Sequence, residues 1–71
     1  MINLRDKLKN AIIAHAKGEI EVHLANVDVF LNNPVGIGDH SNVTEAIQSE
    51  IDKIAGWDHR IEVIKKYIKW H

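Results

Sequence analysis

The chain has 71 residues, 45% of them hydrophobic, a formal net charge of −1 and no cysteine. Disulfides and thiolate metal sites are therefore excluded, and there is room for one domain near the size below which a single core rarely outweighs chain entropy, which makes self-association the remaining source of stability. No apolar run approaches the roughly 18 residues of a membrane span, and the opening MINLRDKLKN lacks the apolar centre of a signal peptide, so the expectation is a cytoplasmic protein with no membrane attachment.

A first helix is expected over about residues 4–31. Asn3 is a good N-cap, and Asp6 three residues later suits the positive end of the helix dipole. At 100° per residue Asp6, Asn10, Lys17, Glu21 and Asp28 gather on one narrow face, and apolar residues cover more than half of the circumference. That wide surface resolves into two heptad seams. One runs Leu4, Leu8, Ala11, His15, Gly18, Val22, Ala25 and Val29, with the small residues Ala11, Gly18 and Ala25 seven apart. The other, Ile13, Ala16, Ile20, His23, Val27 and Phe30, is bulkier. A helix with two seams touches a neighbour on each side. Gly18 costs about 1 kcal/mol relative to Ala inside a helix, and because the heptad phase continues across it, the pattern assigns it to close packing. The small seam, with Leu8, Ala11, Gly18 and Val22, is accordingly expected to pack inside the hairpin, and the bulky seam to form the interface with another chain.

His15, Glu19 and His23 recur four residues apart on one face, a spacing that can chelate a divalent metal. Hydrogen bonding between residues four apart and packing at an interface account for the spacing better than a metal does, and the Glu-x-x-His repeats of di-iron bundles are absent, so no metal or other cofactor is expected.

Residues 32–42, NNPVGIGDHSN, form the expected turn. Asn33 precedes Pro34 and is pushed out of helical space, Gly36 and Gly38 allow a tight reversal, and Val35 and Ile37 are placed to close the end of the core. Asn42 with Glu45 has the spacing of a capping box, with Asp39 or Ser41 as alternative caps. The Gly-x-Gly pattern before a helix is a candidate anion cradle, but no strand precedes it, no Lys or Arg lies nearby and Asp39 would repel a phosphate. The run 31–46, LNNPVGIGDHSNVTEA, followed by a heptad helix, resembles small uncharacterised helical-hairpin proteins of marine tailed phages. The resemblance covers most of the chain, has the loop as its one distinctive motif, and implies a phage protein acting in the cytoplasm of an infected cell. It brings no activity and no functional residue with it.

The second helix is expected over about residues 43–69. Ile47, Ile54, Ile61 and Ile68 recur every seven residues, with Val43, Glu50, Trp57 and Ile64 between them, which is the pattern of a coiled-coil strand. With the turn centred near Ile37, antiparallel partners have numbers summing to about 74. That register sets Trp57 opposite Gly18, Ile54 near Ile20, and Glu50 near His23 or Leu24. Hence Ile47, Ile54, Trp57 and Ile61 complete the expected hairpin core, the indole accounts for the glycine, and Glu50 takes His23 as the partner that a buried carboxylate requires.

Charge is unevenly distributed. Arg5, Lys7, Lys9, Lys65, Lys66 and Lys69 lie near the two chain ends, and the span from Glu19 to Asp52 holds acids with no Lys or Arg, so a hairpin has a basic open end and an acidic loop end. The expected architecture is thus all-α: an antiparallel helical hairpin that assembles into an intermolecular four-helix bundle, an antiparallel homodimer or a multiple of it. Its expected role is non-enzymatic, as an oligomeric interaction or scaffold protein that binds another protein. The alternatives are a small nucleic-acid-binding regulator that uses Lys65, Lys66 and Lys69, and a metal-binding bundle that uses His15, Glu19 and His23.

Overall fold

In the computed structural model, residues 3–32 and 42–68 are described. They form two helices, α1 (Leu4–Asn32) and α2 (Val43–Tyr67). Positions that meet across the pair, His15 with Trp57, His23 with Glu50 and Lys9 with Ile68, run in opposite directions along the two helices, so the pair is antiparallel. The chain is an all-α helical hairpin. Proposals for the turn that involve Val35, Ile37, Asp39 and Ser41 lie outside the described residues.

The helix ends differ in how they are held. The Asn3 side chain accepts a hydrogen bond from the backbone N–H of Asp6 at 2.8 Å, which fixes the start of α1 and satisfies one of its orphan donors. α2 starts differently from the expected capping box: Asn42 is already helical in backbone (φ −93°, ψ −8°), and its side chain makes no capping hydrogen bond. An N-cap residue bonds the first turn from an extended backbone, which Asn42 does not have. At the other end α2 stops at Tyr67, because Ile68 is extended (φ −108°, ψ 92°). Lys65 and Lys66 in the last turn, and the ammonium of Lys9 from α1, place cations at the negative pole of α2.

The buried core is short and linear. Ile13 and Ala16 of α1 meet Ile61 and Ile64 of α2, with Ile20 and Trp57 packed alongside. Towards the loop end, Val27 and Phe30 face α2 half-buried, as do Val43 and Ile47 from the other side, and Ile54 is half-buried between these two groups. Here the structure reverses the expected roles of the two α1 seams. The bulky seam Ile13, Ala16, Ile20, His23, Val27 and Phe30, assigned to another chain, is the one that α2 covers. Leu8, Ala11, Gly18 and Val22, assigned to the hairpin core, are all exposed. The physical reason is area: isoleucine seams laid against each other remove more apolar surface from water than an isoleucine seam laid against alanine and glycine.

The shape follows from this one-sided packing. The molecule measures 52 × 20 × 12 Å with a radius of gyration of 16.2 Å, against about 11 Å for a compact domain of this length. It is one helix thick, and each helix therefore keeps a face that its mate does not reach.

Candidate functional site

Two features stand out on this frame: a polar cluster inside the helix pair and an apolar stripe outside it. The cluster is built around Glu50, the single carboxylate in the α2 seam and only 8% exposed. Nδ1 of His23 donates to Oε2 of Glu50 at 2.5 Å, and Nδ2 of Asn26 donates to the same oxygen at 3.3 Å. Lys53 Nζ stands 3.8 Å from the other carboxylate oxygen, and the far nitrogen of His23 is 3.6 Å from Glu19. The His23 hydrogen bond is the main reason that the Glu50 carboxyl is held below the usual glutamate value; burial opposes that shift, and Asn26 and the charge on Lys53 reinforce it. The sequence register anticipated the Glu50–His23 pair. Asn26 was not anticipated, because it lies beside the heptad seam rather than on it.

An imidazole between two carboxylates is also a catalytic residue set, but chemistry needs space for a substrate. No cavity opens among the described residues. The cluster ties α1 to α2 at one register by a bond that a one-residue slip would break.

His15, Glu19 and His23 do not come together around a common point. His15 turns its ring edge to Trp57, with centroids 5.3 Å apart and planes at 75°, and both ring nitrogens of His23 face carboxylates. Among the described residues no group of His, Cys, Asp and Glu is arranged to hold a metal ion. Nor does Trp57 lie over Gly18, as the register implied: space around Gly18 is open to 4 Å. The indole packs on His15 instead and carries the Arg60 guanidinium over its face, 4.4 Å from the centroid. A cation over an indole is stabilising in itself, so Trp57 has partners without the glycine.

Lys9 is the residue that sequence reasoning missed most clearly. It is 4% exposed, and its Nζ donates to the carbonyl of Ile68 at 2.5 Å. The signal was present, since Lys9 lies four residues before Ile13 and continues the bulky seam one step towards the N-terminus. Its aliphatic stem lies along that seam while the ammonium reaches the end of α2. Lys65 and Lys66 are exposed on the last turn of α2; Lys69 lies outside the described residues.

The outer stripe is the small seam of α1. Every member, from Leu4 to Val29, is exposed, including Leu8 at 55% and Val22 at 53%. At 100° per residue this stripe lies about 140° around α1 from the face that meets α2. Ile12 widens it. Leu4, Leu8, Val22 and Val29 stand exposed along it with small residues and His15 between them, a regular pattern rather than scattered exposure.

No protein family, characterised protein or solved structure matches the chain. No helix among the described residues is long and apolar enough to cross a membrane.

Proposed function

We propose that the protein is a non-enzymatic helical scaffold that works as a homo-oligomer, a helical bundle of hairpins, and presents the assembled surface to another protein. The observation that carries this is the uncovered heptad stripe on α1: a regular a/d pattern that the hairpin itself leaves in water. α1 is then a central helix with α2 on one side and a second molecule on the other, in the arrangement of a four-helix bundle. Action in the cytoplasm of a phage-infected cell is part of the same proposal and comes from the likeness of the loop sequence.

Sedimentation across a range of micromolar concentrations tests the reading. The expected result is a mass of two chains or a multiple of two, falling towards one on dilution and shifted to lower mass by Val22→Asp. A folded monomer at all concentrations would overturn it.

A second reading is favoured by the charge layout. Lys65 and Lys66 are exposed at the open end, where Arg5 and Lys7 are exposed at the start of α1. On that reading the protein is a small nucleic-acid-binding regulator, and a salt-dependent mobility shift lost in Lys65→Gln/Lys66→Gln supports it. Absence of a shift at low salt removes it.

A further inference from the structure

The geometry points to one specific partner for the outer stripe of α1: the same stripe of a second copy, antiparallel, about a twofold axis that passes between His15 and Gly18. The inference rests on the oligomeric reading above and adds partner, direction and register to it.

The argument begins with what a twofold axis demands. In an isologous contact, if residue i of one chain meets residue j of the other, j of the first meets i of the second. For a stripe with alternating spacings of four and three, only certain centres bring seam onto seam. A centre between His15 and Gly18 pairs positions whose numbers sum to 33, and it alone uses the stripe from end to end, over about 38 Å at 1.5 Å per residue. His15 then faces Gly18, Ala11 faces Val22 and Leu8 faces Ala25. Each larger side chain meets a smaller one, as close packing requires. Leu4 and Val29 close the two ends.

Parallel pairing does the opposite. It sets Ala11, Gly18 and Ala25 each against its own copy and leaves gaps, while His15 meets His15. The open space around Gly18 fits the antiparallel arrangement: apart from the helix backbone itself, nothing among the described residues comes within 4 Å of where a Cβ would stand, so the second copy's His15, exposed although its ring edge meets Trp57, has room there.

Charge is complementary in this register and opposes one of its neighbours. The residues that flank the seam pair with numbers summing to about 35 on one side, which brings Lys7 opposite Asp28, twice by symmetry. Both are exposed, and neither has an ion pair within its own chain among the described residues. Sliding the contact one heptad towards the loop end sets Glu21 against Glu21 and Glu19 against Glu19 across the axis, like charges that oppose pairing. Sliding it one heptad the other way sets Lys7 opposite Glu21, which charge allows, but leaves Ala25 and Val29 of both chains uncovered, so buried area decides between these two registers.

The chain lacks cysteine, so single introduced cysteines report pairing cleanly. Ala11→Cys and Val22→Cys proteins are mixed in equal amounts under mild oxidation, with circular dichroism to show that each retains the hairpin. The mixed disulfide is expected to exceed either same-variant disulfide severalfold. Predominance of the Val22→Cys homodimer would overturn the antiparallel sense, and stronger cross-linking between Leu8→Cys and Gly18→Cys would overturn the register. Either result leaves the oligomeric reading standing, provided sedimentation still finds a dimer; monomers throughout would remove both. As a second measurement, Lys7→Glu is expected to weaken association severalfold and the pair Lys7→Glu/Asp28→Lys to restore it. Failure of the double variant to recover would overturn the register, because a shifted contact places Lys7 beside a different residue.

Discussion

Ile61→Ala tests the assignment of the bulky α1 seam to α2. The side chain is 8% exposed and sits with Ile64 against Ile13 and Ala16. Truncation removes three carbons at about 0.8 kcal/mol each, most of them out of contact with water, for a transfer loss of about 2 kcal/mol. The cavity contribution is small because a layer one helix thick lets neighbours and water close the gap, so the expected total is about 2–3 kcal/mol, at the low end for large-to-small core changes. Against a whole-protein stability of about 4–11 kcal/mol for this length, that is a large fraction. Urea denaturation followed by circular dichroism reads it, with Leu8→Ala as the comparison. Leu8 is 55% exposed in the hairpin, so its truncation costs about 0.5 kcal/mol or less under dilute conditions and more as the concentration rises and its stripe becomes covered. A loss below about 0.5 kcal/mol for Ile61→Ala, with a larger loss for Leu8→Ala at the lowest concentration, would refute the seam assignment.

Three further outcomes follow from named contacts. Because the Glu50 carboxyl is held below its ordinary value, the unfolded chain binds more protons there; the stability it contributes is present above the unfolded-state value and is lost as pH falls through the folded one. Urea midpoints measured from neutral pH into acid should therefore fall less steeply for Glu50→Gln than for the unaltered chain, and equal slopes would contradict the linkage. Asn3→Ala removes the hydrogen bond to the Asp6 N–H and should cost about 1 kcal/mol, with Asn3→Gly costing a few tenths, as read by the same denaturation. Gly18→Ala and Gly56→Ala both add a methyl group to helix where nothing lies within 4 Å, so each should stabilise the dissociated hairpin by up to about 1 kcal/mol. Only Gly18→Ala should also weaken association, and sedimentation of the two variants side by side checks it.

The heptads, the cap at Asn3 and the register near Glu50 were legible because each depends on local spacing alone. Ile47, Ile54, Ile61 and Ile68 declare a seam wherever α2 is placed, and a lone carboxylate within that seam demands a partner at whatever position the turn sets opposite. The choice of which α1 stripe meets that seam was not local. Both stripes have heptad spacing, and the reading that favoured the small one rested on matching a single glycine to a single tryptophan. Trp57 finds its company in His15 and Arg60, from the facing helix and its own, so the match had no force. Lys9 escaped notice for a related reason: a charged residue type masked a position whose spacing already placed it on the buried seam.

The two stripes of α1 differ in side-chain size, and the hairpin uses the bulky one. The bulky stripe buries the most surface against isoleucines, so it makes the contact within one chain, and the Glu50–His23 bond ties the two helices there. Alanine and glycine on the other stripe would bury too little to hold two helices together inside a single hairpin. In the proposed dimer they would allow close approach, each small residue accepting a larger one from the opposite chain. Had the small stripe faced α2, the isoleucines of α1 would have been left in water on every unassembled chain, open to indiscriminate association. The observed arrangement buries the isoleucines within the chain and leaves outside the stripe whose members alternate with alanine and glycine, which presents less apolar surface for such association.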